Sequence, residues 1–315
     1  MRLSWLLAVV LSCGAAAGCG GAARNSEDTT AVSPARPVLT SAASEEGPTA
    51  SGPWFAWMQS AGINPAPPRS STDVFVRRET RILRVNPPGT HALTGGISGR
   101  SLVLQISRGG RSRLAIYDLG TRRLRYLPSF VNDGAWLWRP DVDGHRILYG
   151  AIVPGRAAIL AYEIRIADLH TRRVRVLLHQ DGHADYAAPG QLRGNWATWV
   201  SCPDNVCNVW RENLNTGRAE SAPDPDHVSH SQLGPSVDRY GVVYFGRALA
   251  SCGAGEIRRW DGLHSSLVLR LPAETAFQYS YLAKDARTVY YDLVGCTRTA
   301  KSDIYALNIA TPKTP

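Results

Sequence analysis

Lysine is nearly missing from this chain: only three of its 35 basic residues are Lys, so Arg carries almost all of the positive charge behind the formal +9. Methionine and phenylalanine are also scarce, at two and five residues of 315. Beyond the N-terminus no apolar run is long enough to cross a bilayer, and no stretch keeps a helical period. These absences argue against a helical bundle and a helical membrane protein. There is no Gly-x-Ser-x-Gly elbow and no phosphate-binding loop, so the usual sequence support for a hydrolase or nucleotide-binding enzyme is lacking. A basic-aromatic module is missing too. Arg is spread along the chain rather than gathered, and nucleic acid is not an expected partner.

What is present is a repeat. Gly52-Pro53-Trp54-Phe55-Ala56-Trp57 is echoed by Gly194-Asn195-Trp196-Ala197-Thr198-Trp199, and the same frame fits the phrases ending at Leu104, Tyr149, Tyr244 and Tyr291. Their last positions are spaced by 47, 45, 50, 45 and 47 residues. Each phrase is a turn residue, often Gly, entering a β-branched or aromatic run, which reads as a turn leading into a strand. Six such units at blade-sized spacing predict an all-β, six-bladed β-propeller of mostly four-stranded antiparallel blades. Trp54, Trp57, Trp196 and Trp199 then fall at core strand positions.

A second phrase follows each first one. Ile116 to Leu127 and Ile166 to Leu177 are near duplicates, and weaker copies run over Val74 to Val85, Val209 to Gly217, Ile257 to Leu271 and Ile304 to Thr311. Each reads as a hairpin forming the third and fourth strands of a blade. Asp118, Asp168, Asn213 and Asn308 suit its turn, because short polar side chains bond the local backbone. Arg123 with Arg125, and Arg173 with Arg175, place charge on alternate residues of the outer strand, where it discourages edge pairing. The last blade lacks a fourth strand after Thr311, and residues 35–45, with Val38 and Leu39, are the segment expected to supply it.

The N-terminus reads as a targeting segment over residues 1–19. Arg2 gives a positive start, Leu3 to Leu11 is apolar apart from Ser4, and small residues lead to Ala16-Ala17-Gly18-Cys19. Small residues before a cysteine resemble the lipobox of bacterial lipoproteins, in which the cysteine is lipidated and becomes the new N-terminus. Ala16 departs from that motif's usual Leu. Lipidation of Cys19 is expected, with plain signal cleavage nearby as the alternative. Residues 20–51 are rich in Ala, Ser, Thr, Gly and Pro and read as a flexible tether, leaving the propeller at 52–315.

Four cysteines lie beyond the leader: Cys202, Cys207, Cys252 and Cys296. An even number in an exported chain predicts two disulfides. Cys202 and Cys207 flank the mouth of a hairpin in blade four. Cys252 and Cys296 occupy the same loop in blades five and six, where a bridge between neighbouring loops is expected.

Histidines and aspartates collect in the connections between blades. Asp133, His183, Asp185, His227 and His230 are the candidate ligand-binding residues, since imidazole and carboxylate converging at a channel mouth can bind a polar ligand or a cation. The alternative is that Asp, His and Pro are simply loop residues.

The phrase Trp138-Arg139-Pro140-Asp141-Val142-Asp143-Gly144, followed by an apolar strand, resembles the repeat of the TolB-like (WD40-like) six-bladed propellers, here in a bacterial exported protein or lipoprotein. The likeness covers residues 52–311 in outline, although only the third blade carries the phrase well, and two residues separate Asp141 from Gly144. It implies the architecture and no partner. The expected function is non-catalytic: an envelope-associated binding or scaffold module, monomeric, held to the membrane through Cys19, that uses a propeller face for a protein or cell-wall partner. No cofactor and no metal site are expected. The alternative is a metal-dependent hydrolase or lyase with its site at the channel mouth.

Overall fold

The computed structural model describes residues 35–60, 72–155, 160–182, 186–203, 206–224, 231–249, 255–272, 275–276, 283–285, 287–295 and 301–309. The leader, including Cys19, and residues 20–34 lie outside these ranges. Among the described residues there is no α-helix, and every strand pairing is antiparallel.

Six sheets follow one another along the chain. Blade one is β2 (Ser44–Ser51), β3 (Trp54–Ser60), β4 (Asp73–Arg78) and β5 (Arg81–Arg84). Blade two is β6 (His91–Ser98), β7 (Ser101–Arg108), β8 (Arg111–Asp118) and β9 (Arg123–Tyr126). Blade three is β10 (Trp136–Asp143), β11 (Arg146–Pro154), β12 (Leu160–Asp168) and β13 (Arg173–Asp181). Blade four is β14 (Tyr186–Arg193), β15 (Trp196–Cys202), β16 (Asn208–Asn213) and β17 (Arg218–Ser221). Blade five is β18 (Ser231–Val237), β19 (Val243–Ala248), β20 (Gly255–Trp260) and β21 (Ser265–Arg270). Blade six holds β22 (Thr275–Ala276), β23 (Ala283–Asp285), β24 (Thr288–Gly295) and β25 (Ser302–Asn308), with β1 (Arg36–Leu39) on its outer edge.

Each repeated first phrase is the turn between a blade's first and second strands, and its last residue is buried in all six blades: Trp57, Leu104, Tyr149, Trp199, Tyr244 and Tyr291. Strand side chains alternate between faces, so each second strand packs on two neighbouring blades at once. Six apolar clusters result, one for each blade interface. Ala56, Val74 and Val76 meet Leu102 and Tyr117 between blades one and two. Phe55 and Trp57 meet Ile304 between blades one and six, which closes the ring.

The ring is closed by the N-terminal segment. β1 pairs with β25, Pro37 opposite Tyr305 and Leu39 opposite Ile304, and so supplies the missing fourth strand. Pro37 suits an outer edge, where no partner needs its absent N–H.

Two sequence expectations are corrected. The segment 20–51, read as a tether, contains β1 and β2, so the propeller begins upstream of residue 52. β2 reads Ser-Glu-Glu-Gly-Pro-Thr-Ala-Ser and has no large apolar residue, but both its faces are covered by neighbouring blades, so small side chains suffice to bury it. In blade five the phrase Arg239 to Tyr244 begins its strand only at Val243. Asp238 to Val242 form a longer turn, in which Gly241 adopts φ +86°.

The hairpin turns follow the residues that marked them. Asp118 Oδ1 accepts the N–H groups of Gly120 and Thr121, and these bonds, with Arg100, hold its carboxyl down at about 2. Asp168 Oδ1 accepts those of His170 and Thr171, and Asn213 Oδ1 that of Asn215. Asn308 differs: its Oδ1 accepts the Thr288 hydroxyl. Arg123 and Arg125 in β9, and Arg173 and Arg175 in β13, are exposed on outer strands, as their alternation implied.

Candidate functional site

Of the five candidate ligand residues, the structure places one. His183, Asp185, His227 and His230 lie outside the described residues, as do Cys252 and Cys296. Asp133 lies in the connection from blade two to blade three, and its carboxylate takes the Arg165 guanidinium at 2.7 Å. Arg165 Nε also binds Glu163 at 2.6 Å, Glu163 meets His179 Nδ1 at 2.8 Å, and His179 Nε2 lies 3.4 Å from Asp181. Burial raises the Glu163 carboxyl, but its bonds from His179 and Arg165 outweigh that and hold it below the usual range. Its bond to Glu163 raises the His179 imidazole in turn. Beneath this chain of charges, burial pushes the Tyr149 hydroxyl up to about 12.

The same arrangement recurs in blade five. Asp224, in the connection from blade four, takes the buried Arg247 at 2.8 Å, and Glu256 is shared by Arg247, Arg258 and Arg270. Asp133 and Asp224 therefore serve as clamps, each held by an Arg of the blade it leads into. Glu163, Arg165 and His179 were invisible in the sequence, because they sit singly within otherwise ordinary strands. No group of three His, Cys, Asp or Glu side chains among the described residues is placed to hold a metal. Cys202 and Cys207 form a disulfide (S–S 2.07 Å) across the mouth of the β15–β16 hairpin.

The channel is lined by the innermost strands, and those of blades one to five are interrupted by a bulge at one level, after Glu46, Thr94, Trp138, Pro189 and Leu233. Gly47, Gly95, Gly190 and Gly234 open four of these bulges. Arg139 opens the fifth, at φ +46°. A side chain in that region costs about 1 kcal/mol or more. The Arg139 guanidinium lies 5.6 Å from the ring of Trp138, and its positive charge works against the upward shifts of the Glu46 carboxyl in blade one and the Asp292 carboxyl in blade six. Asp292 is buried, and its Oδ2 accepts the Gly47 N–H at 3.0 Å. Its Oδ1 has no hydrogen-bond partner among the described residues. Burial, then repulsion from Glu46, pushes the Asp292 carboxyl up to about 7. Burial also raises Glu46, against the Ser44 hydroxyl and Arg139. Gly-Pro or Arg-Pro at 47–48, 139–140 and 234–235 is the sequence signal for three of these five bulges.

The opposite face, formed by the turns between first and second and between third and fourth strands, carries a different feature. In blade five Tyr240 is 69% exposed and Leu263 83% exposed, each at the tip of a turn. Both turns rest on Arg211. Its guanidinium stacks between Trp196 (4.9 Å) and Trp260 (4.3 Å), binds Glu220, and donates to the Gly241 carbonyl. A Cβ on Gly262 would fall 1.9 Å from Arg211 Nη2, so the second turn packs directly on the same group. Arg239 stacks on Tyr240 at 4.7 Å. The result is a propped platform of one aromatic, one aliphatic and one cationic side chain.

No family model matches the sequence, and no characterised protein matches it in sequence. Solved structures do match in fold. The putative TolB of Agrobacterium tumefaciens superposes with a TM-score of 0.56 at 15% identity, over 88% of this chain and 94% of that one. TolB of Acinetobacter baumannii gives 0.51 at 14% identity, over 76% of this chain and 60% of that one, so the chain spans less than two thirds of its length. The β-propeller domain of the Trilobed protease of Pyrococcus furiosus gives 0.51 at 11% identity, over 87% and 99%. The fold is that of a TolB-like propeller.

In this TolB-like propeller the phrase Trp138-Arg139-Pro140-Asp141 is the channel strand of blade three. Asp141 is buried and reaches blade four, where Oδ2 takes the Leu192 N–H at 2.6 Å and Arg193 at 3.1 Å. Trp138 forms an aromatic cluster with Tyr162 and Tyr186, ring centres 6.3 and 5.1 Å away. Arg139 also joins blades, its backbone N–H donating to Gln105 Oε1 of blade two at 3.3 Å.

Proposed function

We propose that the chain is a non-catalytic, envelope-associated binding module that docks a protein or cell-wall partner on its turn face, with Arg239, Tyr240 and Leu263 as the anchor. The propped platform carries this reading. Tyr and Arg dominate the energetics of protein interfaces, and a rigid, exposed aromatic pays little entropy on contact. Arg211, buried between two tryptophans, holds both turns in place before any partner arrives. The exported character of the N-terminal segment and the TolB-like fold agree with an envelope location, with Cys19 as the lipid attachment. In the described connections Asp133 and Asp224 are already paired with arginine, so they lend no ligand to the hydrolase or lyase alternative.

The test is a photo-cross-linking residue placed at 240 or 263 in intact cells, with position 82 on the outer edge of blade one as the control. Discrete adducts at 240 and 263 but not at 82 are the expected result. Equal labelling at all three positions, or none, would remove the platform as the docking site.

A further inference from the structure

The outer strands of a propeller are open edges, and this chain keeps most of them short. β1, β5, β9 and β17 have four residues each and β21 has six. β13 has nine, and its first four residues, Arg173 to Val176, are all exposed. Short edge strands are a standard protection against unwanted pairing. β13 gives that protection up.

Its two faces differ. Val174 stands opposite Ala167 and Val176 opposite Arg165, so both valines lie on the face turned towards blade two, where Ala167 packs. They are 39% and 47% exposed. Arg173 stands opposite Asp168 and Arg175 opposite Ile166, on the face turned towards blade four, where Ile166 packs and Arg175 binds Glu212 at 2.8 Å. An added strand in register with β13 would place alternate side chains beside the valines and beside the arginines.

We propose that β13 binds an extended peptide segment by strand addition, and that the segment recognised alternates acidic and apolar residues. Main-chain bonds to the open edge supply affinity, and the alternating partners supply selectivity. A second copy of this chain is a poor occupant. If Val174 of one copy stands opposite Val176 of the other in an antiparallel pair, Arg175 faces its own copy. If Val174 stands opposite Val174, Arg173 faces Arg175. Like charges directly opposite are destabilising, so the arginines that reject self-pairing are also those that select an acidic strand. This edge lies apart from the Tyr240 platform, and each stands or falls alone.

The test uses fluorescent peptides and the folded, full chain at low salt. An alternating Asp-Val peptide is compared with one of equal composition in which Asp and Val are blocked, and with an alternating Lys-Val peptide. The alternating acidic peptide should bind at least about tenfold more tightly than the blocked one. Arg173→Glu should reverse the preference towards the Lys-Val peptide, and Val176→Asn, which removes the apolar contact without adding charge, should weaken acidic binding by about tenfold while the melting temperature stays within a few degrees. Equal affinity for alternating and blocked peptides would reduce the effect to bulk attraction and overturn strand addition. Insensitivity to both variants would move binding off β13. Self-association lost on Val176→Asn would replace the peptide by a second copy.

Discussion

Asp141 and Leu192 join blades three and four through one short bond: the carboxylate Oδ2 accepts the Leu192 backbone N–H at 2.6 Å, wholly buried. Arg193 adds a second contact at 3.1 Å. The other oxygen sits against Gly96 of blade two, where a Cβ would fall 1.4 Å from it. One carboxylate thus touches three blades. Asp141→Ala leaves a buried N–H without its acceptor and the Arg193 guanidinium, which keeps the Val142 and Leu192 carbonyls, without its counter-charge, and should cost about 3 kcal/mol. Asp141→Asn keeps one acceptor and should cost less. Urea unfolding of the two variants checks the order, and equal losses would mean that the negative charge, which both variants remove, carries the effect rather than the acceptor that Asn keeps.

Asp292 makes the stability pH-dependent. Burial and Glu46 raise its carboxyl from 3.8 to about 7, with Arg139 and the Gly47 N–H only partly compensating. Between those values the unfolded chain has released the proton while the folded chain still holds it. Folding is therefore favoured below 3.8, and that advantage is lost progressively as the pH rises towards about 7, at up to about 1.4 kcal/mol per pH unit. Other carboxylates superimpose their own trends, so the difference between proteins is the observable. Asp292→Asn should gain stability over the wild type as pH rises from 4 to 7 and hold a constant difference above that. Melting temperatures taken across the range decide it, and a pH-independent difference would place the Asp292 proton elsewhere.

Much of this fold was legible because its strongest signals are local. A turn residue before Trp57 or Tyr149 is a local pattern, and so is an Asp118 that bonds the next two N–H groups. β2 was not legible, because its burial is conferred by neighbours far along the chain rather than by its own side chains. Glu163 and His179 are adjacent only through strand pairing, so nothing in their spacing joins them. Tyr240 looked like part of a strand, and the long turn around Gly241 is what exposes it. Arg139 stood in plain view within the TolB-like phrase, yet its left-handed backbone, shared with Gly47 and Gly234 at the same level, shows only in the structure.

Arg122 and Gly217 end equivalent five-residue turns, and both residues are left-handed, at φ +57° and +70°. The backbone N–H of each bonds the carbonyl of the residue that begins the turn, Asp118 or Asn213. Only Gly adopts this conformation without crowding its own Cβ. Arg122→Gly should stabilise the protein by about 1 kcal/mol, and Gly217→Arg should destabilise it by about as much. Denaturant midpoints measure both. If Arg122→Gly is neutral or harmful, side-chain contacts of Arg122 outweigh its backbone strain.

β1 is the last link in the ring, and its contribution is separable because it adds only one outer strand. Val38 and Leu39 pack on the cluster that joins blades one and six, and β1 covers an edge of β25 that would otherwise stay open. Removing residues 35–40 leaves β2 intact, so the channel strand of blade one is retained. Loss of two partly buried side chains and the edge pairing should cost on the order of 2 kcal/mol, seen as a lower melting temperature. Val38→Asp and Leu39→Asp within the full chain should reproduce most of that loss, since they disturb the same cluster without shortening the backbone. A truncated protein that melts with the wild type would mean that blades one and six hold each other through Phe55, Trp57 and Ile304 alone. In that case β1 shields the edge of β25 without closing the ring, and the truncated chain should self-associate through the bared strand.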